Sequence, residues 1–268
     1  MSDDAIVIVN GARTPMGGFQ GALKDVSATE LGATAIKAAV ARSGVAIDDI
    51  DEVIMGCILT AGLGQGPARQ AMRAAGLSDA TGAVTINKLC GSGLKAVMQA
   101  YDGIKAGSFD IAVAGGMESM TNAPYIMPGA RGGYRMGHKE VKDHMFLDGL
   151  EDAETGKLMG QFAQTMADKK GYTREQMDDF AIESLNRALT AIKDGHFDNE
   201  ITPVTFETRK GEQTVDTDEE PGLANAERIP TLRPAFAKDG TITAANASSI
   251  SDGGAAVVVM KESQAQAK

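Results

Sequence analysis

Cys90 is the side chain of this sequence best placed to act as a nucleophile. It lies in residues 87–93 (NKLCGSG), between a predicted strand and a predicted helix. The free backbone N–H groups and the positive dipole at a helix start stabilise a thiolate, and also an oxyanion formed beside it. Gly91 and Gly93 permit a sharp turn and the close approach of a substrate. The pattern indicates a nucleophile elbow built on sulfur, although a cysteine that is merely a small apolar residue fits it equally well.

Other chemistry has few candidate residues. The second cysteine, Cys57, lies inside an apolar strand pattern without a turn, which predicts a structural role. Two cysteines do not make a disulfide framework. None of the three histidines, His138, His144 and His196, has metal-ligand spacing from either cysteine, so no metal site or metal cofactor is expected.

Bulk composition excludes several classes of protein. A chain of 268 residues with 43% hydrophobic residues is long and apolar enough to bury a core unaided. The net charge of −10 argues against a nucleic-acid partner, because phosphate binding needs a broad basic surface. No apolar run reaches the ~20 residues of a membrane span, and the start MSDDAIVIVN lacks the features of a signal peptide. We therefore expect a cytoplasmic protein with no membrane partner.

The elements that must position Cys90 follow from hydrophobic patterns. Buried strands are predicted at 5–9, 53–59, 83–86, 111–114 and 255–260, with a tight turn at 89–93 and a helix at 94–105. Ser27 and Glu30 have the spacing of a capping box, and Gly44 suits the end of the helix that they begin. Alternating strands and helices predict an α/β layered fold.

A different texture begins after Gly116. Residues 117–240 are rich in glycine, proline and charge, with one convincing long helix that begins at Thr173 and stops at Gly195. This region is predicted to be a large excursion from the sheet. The expected domains are thus 1–118 for the first part of an α/β domain, 119–242 for an inserted loop domain and 243–268 for the return strand.

Four ordered stretches resemble the thiolase family. They are the Cys90 segment, residues 12–15 (ARTP), residues 112–120 (AVAGGMESM), and residues 243–249 (TAANASS) with 252–256 (DGGAA). The resemblance implies a thiolase-like N-terminal half with a mixed five-stranded sheet between helices and an inserted loop domain. The helix after Cys90 is predicted to be buried between layers because of its small residues and its apolar face, which consists of Leu94, Val97, Met98 and Tyr101. Residues 121–125 (TNAPY) look most like acetyl-CoA acetyltransferases and related 3-ketoacyl-CoA thiolases.

The family's chemistry implies that Cys90 takes an acetyl group from acetyl-CoA, and that a second acetyl-CoA then attacks to give acetoacetyl-CoA and CoA, or the reverse. Coenzyme A thioesters would be substrates, and no cofactor is implied. The family's activating histidine and second cysteine belong to a C-terminal half whose motifs are absent here. We therefore expect a nucleophile-bearing part, a C-terminal thiolase fragment as a possible partner, and a homo-oligomer, dimer or tetramer.

Substrate contacts also come from the resemblance. Ser248 matches a position that hydrogen-bonds the pantetheine arm, Met159 lies in a loop that covers it, and Arg228 is assigned to the CoA nucleotide. Leu158 stands where short-chain thiolases usually have histidine, which leaves the acyl-chain length open. Independently of the family, residues 131–142 contain Arg131, Arg135, Lys139 and Lys142 against Glu140 alone. This local positive charge suits CoA phosphates and also suits a solvated or oligomer-forming loop.

Three alternatives remain open. A ketoacyl synthase shares a duplicated fold and a cysteine nucleophile, but the flanking motifs match thiolases better. Glycines at 62, 64 and 66 suggest a dinucleotide-binding domain, yet they lack the required spacing. The third alternative is a non-catalytic thiolase-like scaffold subunit.

Overall fold

The computed structural model describes residues 4–268, which form two compact units. Unit 1 comprises the described residues up to Asn122, together with Phe197–Asp218 and Ser251–Lys268, and unit 2 comprises Ala123–His196 and Glu219–Ile250. The sequence-based division left 197–218 inside the inserted region. The structure assigns this segment to unit 1, because it is hydrogen-bonded to the end of the first strand.

Unit 1 is built on a mixed sheet. Its strands are β1 (Ile6–Arg13), β2 (Gly17–Gly18), β3 (Glu52–Gly56), β4 (Gly82–Ile86), β5 (Ile111–Ser119) and, later in the chain, β10 (Ser251–Lys261). The order is β1-β10-β5-β3-β4, with the two-residue β2 added beside β10. The pairs β1–β10 and β10–β5 are antiparallel, whereas β5–β3 and β3–β4 are parallel. The predicted mixed five-stranded sheet is confirmed, with β2 as a short addition.

Helices cover both faces of this sheet. Unit 1 contains α1 (Ala28–Ser43), α2 (Pro67–Ala74), α3 (Ser92–Ala106) and the later α7 (Glu262–Ala267). Successive residues of a strand point to opposite faces, so Val53 and Met55 pack with α1 and α2, while Ile54 packs with α3. The α/β layered fold expected from the sequence is therefore confirmed.

Local sequence signals set the ends of α1. The Ser27 side chain accepts a hydrogen bond from the Glu30 N–H, and Glu30 accepts one from the Ser27 N–H, which together form the predicted capping box. Gly44 ends the helix with φ 72°, a left-handed conformation that glycine adopts at little cost. Both helix ends were correctly predicted.

The helix after Cys90 departs from expectation. Ala96, Ala100 and Ile104 of α3 are buried against the sheet, but Leu94 and Tyr101 on its other side are 71% and 47% exposed. The sequence predicts that Leu94, Val97, Met98 and Tyr101 share one apolar face and that this face is buried between two layers. In unit 1 only one layer covers α3, and small residues form its buried side.

The outer strands are also less buried than predicted. β1 lies at one edge of the sheet and extends to Arg13, and β4 lies at the other edge, with Val84 42% exposed. Apolar runs predict a strand but not its place in the sheet. Residues 197–218 add a further pair, β8 (Val204–Thr208) and β9 (Gly211–Val215), which packs on Leu23 and Leu31.

Unit 2 contains more regular structure than the sequence indicated. It has the pair β6 (Tyr125–Ile126) and β7 (Lys142–Asp143), and the helices α4 (Met159–Lys170), α5 (Arg174–Lys193) and α6 (Glu219–Leu223). Short segments are a π-helix at Phe146–Leu150 and 3-10 helices at Ala130–Gly132 and Ala226–Thr231, while unit 1 has one at Ile47–Asp49. The Thr173 capping box of α5 is confirmed. α4 was not predicted.

Candidate active site

The Cys90 turn joins β4 to α3. Leu89 has φ 50°, a left-handed conformation that is unusual for a bulky residue and characteristic of strained functional turns. The buried Ser92 secures the turn, because its hydroxyl donates to the Leu89 carbonyl at 2.6 Å and accepts from the Lys88 N–H at 2.8 Å. The Cys90 side chain is exposed at the apex. The predicted strand–turn–helix arrangement around Cys90 is therefore confirmed.

Close packing brings the start of α3 onto the sheet. A Cβ added at Gly56 would lie 2.6 Å from the Ser92 Cβ and 2.8 Å from the Gly93 nitrogen. A Cβ at Gly116 would lie 3.4 Å from the Gly93 Cα. Glycine at the end of β3 therefore allows the helix to approach so closely, whereas a Cβ at Gly116 would reach only ordinary contact distance. Cys90 is therefore held beside the carboxyl ends of these parallel strands, where α/β folds usually bind ligands.

A cavity of about 400 Å³ opens beside Cys90 within unit 1. Its walls come from the ends of β1, β3 and β5, the start of β10 and the start of α3. They are formed by Arg13, Thr14, Met16, Gly56, Ile58, Leu89, Cys90, Ser92, Gly93, Gly116, Met117, Glu118 and residues 251–255. The size is within the range of small-molecule sites. Each of the four stretches that resemble the thiolase family contributes residues to this cavity. In the fourth stretch these residues are 252–255, and residues 243–249 come before them in the chain.

The glutamate at the end of β5 holds the loop after β3. Glu118 accepts hydrogen bonds from the backbone N–H groups of Ile58 and Leu59 at 2.8 and 2.9 Å, and from the Cys57 thiol at 3.5 Å. Burial, reinforced by the charge and hydrogen bond of Glu118, raises the pKa of the Cys57 thiol. Cys57 is 1% exposed and is kept as an unreactive thiol, which supports its predicted structural role.

The guanidinium of Arg13, in the 12–15 stretch, forms hydrogen bonds with acidic residues of the protein. It donates to Asp218 through both terminal nitrogens, at 2.7 and 3.0 Å, and to Glu200 through Nε at 2.6 Å. Burial opposes the charge of Asp218, but the hydrogen bonds from Arg13 and the Met16 N–H outweigh it and lower the pKa of this carboxyl. Arg13 therefore contributes to the cavity wall as an anchored side chain.

Sequence comparisons identify the family. Residues 6–263 match the model of the thiolase N-terminal domain. The chain belongs to the thiolase family. The acetyl-CoA acetyltransferases of Cupriavidus necator and Allochromatium vinosum are 51% and 49% identical to it over 264 and 266 residues. These matches cover 97% and 98% of the chain and 67% and 68% of the two relatives. The acetyl-CoA acetyltransferase of the yeast Yarrowia lipolytica is 49% identical, with 98% of the chain and 66% of that relative covered.

The thiolase chain spans about two thirds of the length of these curated relatives. None of the helices among residues 4–268 is long and apolar enough to cross a membrane. In the same residues, no group of three or more His, Cys, Asp or Glu side chains is arranged to hold a metal ion.

The other site residues predicted from the thiolase resemblance lie in unit 2, whereas Cys90 lies in unit 1. Met159 is the first residue of α4 and is 44% exposed. Arg228 is exposed in the 3-10 helix Ala226–Thr231, and Ser248 is exposed in the segment before β10. The three residues thus lie on separate segments, each with its side chain accessible, and their contacts with CoA stay predictions.

The chain before Ser248 is held firmly. Asn246 accepts from the Thr243 N–H at 2.8 Å and donates to Asp178 at 3.0 Å and to the Thr241 carbonyl at 3.1 Å. Asp178 in turn accepts from Arg174 at 2.6 Å. The motif residue Asn246 therefore fixes the backbone that carries Ser248 in unit 2.

Sequence reasoning missed two acidic residues. Glu118 lies inside the quoted stretch 112–120, and a carboxylate at the end of a buried strand was a usable signal. Asp218 is 205 positions from Arg13 and carried no local signal. Its role follows only from the tertiary structure.

Proposed function

We propose that this chain carries the nucleophile half of an acetyl-CoA C-acetyltransferase. The Cys90 thiolate attacks the carbonyl carbon of acetyl-CoA, and the tetrahedral intermediate expels CoA to leave an acetyl thioester on Cys90. A second acetyl-CoA, deprotonated beside its carbonyl, attacks this thioester to give acetoacetyl-CoA and frees the Cys90 sulfur. The reverse reaction is thiolysis. The observation that carries the proposal is the exposed thiol in a strained turn at the mouth of a cavity.

The start of α3 supports the tetrahedral intermediate. The Gly91 and Ser92 N–H groups already donate to the carbonyls of Lys88 and Leu89. The support therefore comes from the positive dipole end of α3 and from the N–H groups that follow in its first turn, which have no partner within the helix. Donors fixed in this way stabilise an oxyanion without reorganisation during the reaction. Because sulfur itself accepts and releases the acetyl group, the proposed reaction needs no cofactor.

Removal of the Cys90 proton requires a further group. No histidine is among the residues that line the cavity in the described part of the chain. The family resemblance implies a histidine and a second cysteine from a C-terminal half. The exposed apolar side chains of α3, Leu94, Met98 and Tyr101, support a protein layer on this face. We propose that a C-terminal thiolase segment supplies both the layer and the base.

The CoA contacts are proposed for Met159, Ser248 and Arg228. Their exposure leaves them free to meet a ligand. The basic segment 131–142 is a second candidate for the phosphates: Arg131, Arg135 and Lys139 are exposed, while Lys142 is paired with Glu140 at 2.6 Å. Since Leu158 replaces the histidine usual in short-chain thiolases, a thiolase of longer 3-ketoacyl-CoA substrates is the second candidate. The ratio of kcat/KM for acetoacetyl-CoA to that for a longer 3-ketoacyl-CoA, measured with the C-terminal segment present, decides between them.

We further propose a cytoplasmic homo-oligomer, a dimer or tetramer. Both cysteines are free thiols, the state that a reducing compartment maintains. Met127, Met136 and Val141 are each more than half exposed near the basic segment, which supports contact with another subunit. Sedimentation velocity should detect a dimer or tetramer, and a monomer at all concentrations would contradict this part of the proposal.

Alkylation distinguishes the enzyme from a non-catalytic scaffold. Iodoacetamide should modify Cys90 in the native chain, and CoA should slow this reaction. The isolated chain should show no thiolysis at the rate of a full-length thiolase, because it lacks the proposed base. A native Cys90 that is inert, or that reacts equally fast with and without CoA, would favour the scaffold. Thiolysis by the isolated chain at the full-length rate would disprove the need for a C-terminal segment.

A further inference from the structure

The residue before Cys90 adopts a backbone conformation that needs support. Leu89 and Cys90 are the central residues of a turn, which the Gly91 N–H closes by donating to the Lys88 carbonyl at 3.1 Å. Within this turn Leu89 has φ 50°. A residue with a Cβ occupies this left-handed region at a cost, and the conformation persists only when neighbouring groups hold it. Because Cys90 directly follows Leu89, the group that holds Leu89 also sets the direction of the Cys90 side chain.

The Ser92 hydroxyl is the buried support of this turn. It donates to the Leu89 carbonyl at 2.6 Å and accepts from the Lys88 N–H at 2.8 Å, so it binds the backbone on both sides of the strained residue. Ser92 is 4% exposed, and water cannot readily take over these bonds. The only hydrogen of the hydroxyl is used within the protein, which is the property of a positioning side chain and not of a donor to a ligand.

The position of Ser92 is itself fixed by the sheet. Its Cβ lies against the end of β3, where a Cβ added at Gly56 would be only 2.6 Å away. Ser92 is also the first residue of α3, and the dipole of a helix is positive at this end. One side chain thus connects the end of β3, the strained turn and the start of α3.

A second side chain supports the turn from the solvent side. Asn87 Oδ1 accepts from the Leu89 N–H at 2.9 Å, but Asn87 is exposed. Water replaces an exposed acceptor at little cost, whereas a buried group that loses its partner stays unsatisfied. We therefore expect the turn to depend more on the Ser92 hydroxyl than on the Asn87 amide.

We propose that Ser92 is a positioning residue for the Cys90 nucleophile. Its hydroxyl holds Leu89 in the left-handed conformation and thereby keeps Cys90 at the positive start of α3. The role of Ser92 in acetyl transfer rests on the proposed function. Its role in the reactivity of Cys90 does not, because alkylation measures that reactivity in the 268-residue chain without CoA.

Ser92→Ala removes both hydrogen bonds but keeps the Cβ that lies against β3. Leu89 should then relax, and Cys90 should lose part of the stabilisation that the helix dipole gives to a thiolate. The alkylation rate of Cys90 with neutral iodoacetamide should fall about threefold. The rate with anionic iodoacetate should fall about tenfold, because the positive helix end also attracts this reagent. A turn that is merely less stable would change both rates by the same factor.

Ser43→Ala is the matched control. The Ser43 hydroxyl makes the same pair of contacts at the end of α1, since it donates to the Val40 carbonyl at 2.7 Å and accepts from the Val45 N–H at 3.2 Å. Ser43 is not among the residues that line the Cys90 cavity. Both alkylation rates of Cys90 should therefore stay within about twofold of wild type in this variant.

Leu89→Gly tests whether Ser92 acts through the strained residue. Glycine adopts φ 50° at little cost, so the turn of this variant should depend less on the Ser92 hydroxyl. Adding Ser92→Ala to Leu89→Gly should lower the iodoacetate rate about twofold or less, compared with about tenfold in the wild-type background. An equal loss in both backgrounds would show that Ser92 does not act through Leu89.

The remaining outcomes separate the two proposals. Unchanged Cys90 rates in Ser92→Ala, or rates that fall by one common factor for both reagents, would overturn the positioning role. Alkylation of native Cys57 in Ser92→Ala would show that unit 1 has opened and that the role of Ser92 is only structural, which also overturns it.

Acetylation connects Ser92 to the proposed function. With a C-terminal thiolase segment present, Cys90 of Ser92→Ala should be acetylated about tenfold more slowly at saturating acetyl-CoA, with the half-saturating concentration within about twofold of wild type. An unchanged rate at saturation, with a raised half-saturating concentration, would contradict the positioning role. If wild type gains no acetyl group, the proposed function fails, while the alkylation rates still decide whether Ser92 positions Cys90.

Discussion

The two cysteines of this thiolase chain lie in opposite environments of one sheet. Cys57 follows β3, is buried, and donates a hydrogen bond from its thiol to Glu118. Cys90 follows the neighbouring strand β4 but stands exposed on a strained turn before α3. The same side chain is thus an inert packing group at one strand end and a candidate nucleophile at the next. Reactivity here depends on the turn and on the nearby charges.

The largest difference should appear in native-state alkylation. Iodoacetamide should modify Cys90 directly, whereas Cys57 should react only when unit 1 opens. The alkylation rate of Cys57 should therefore be lower than that of Cys90 by roughly 10³-fold or more. Cys90→Ala should therefore remove native labelling, and Cys57→Ala should leave its rate unchanged. Mass spectrometry of timed samples measures both rates, and the unfolded chain should label twice. Equal native labelling of both cysteines would contradict the proposed difference in reactivity between Cys57 and Cys90.

A second prediction concerns the glycine that lets α3 approach β3. The methyl group of Gly56→Ala would overlap the backbone of Ser92 and Gly93, so the start of α3 must shift. We expect a loss of about 3 kcal/mol in the free energy of unfolding, together with a changed rate of Cys90 alkylation. Denaturant unfolding measures the first and mass spectrometry the second. Gly222→Ala, where an added Cβ meets no atom within 4 Å, is the control and should change neither. Equal stability of Gly56→Ala and wild type would show that the close approach is not required.

Glu118→Gln should bring the alkylation rate of Cys57 closer to that of Cys90. The amide keeps the shape but loses the charge and one acceptor, so one of the Ile58 and Leu59 N–H groups loses its partner. The free energy of unfolding should fall by about 2 kcal/mol. Native alkylation of Cys57 should rise, although burial still protects it. Unchanged stability and unchanged Cys57 labelling would mean that Glu118 does not maintain the difference between the two cysteines.

The smallest predicted effect is a dependence of stability on alkaline pH. The pKa of Cys57 is raised in the folded chain, so its neutral thiol contributes fully below the unfolded pKa near 9, and this contribution is lost as pH rises above that value. Wild type should therefore lose about 1 kcal/mol relative to Cys57→Ala between pH 9 and 10. Chemical unfolding at both pH values tests it. A constant difference between the two proteins would contradict the raised pKa.

The helices and strands were predicted best from the sequence where nearby residues determine where an element begins and ends. The capping boxes of α1 and α5 and the buried strands β5 and β10 follow from side-chain spacing and apolar runs. The elbow at Cys90 followed from glycine placement. The edge positions of β1 and β4 did not, because an apolar run looks the same in the middle of a sheet and at its edge.

The candidate site was only partly predictable. Cys90 was found from its local pattern, but its cavity is built from five separate stretches of chain that only the fold brings together. The Arg13–Asp218 pair spans 205 positions and has no local trace. The helix α4, which begins at Met159, was missed because Leu158 before it has no polar side chain that could act as an N-cap, and the glycine-containing start shows little apolar periodicity. Tertiary contacts decide such features.

Intact-mass spectrometry after brief incubation with acetyl-CoA shows whether Cys90 carries the acyl group. The wild-type chain, supplied with a C-terminal thiolase segment, should gain one acetyl group, Cys57→Ala should gain it equally, and Cys90→Ala should not. An acetyl group that persists in Cys90→Ala, or its absence from wild type under these conditions, would contradict the assignment of Cys90 as the residue that carries the acyl group.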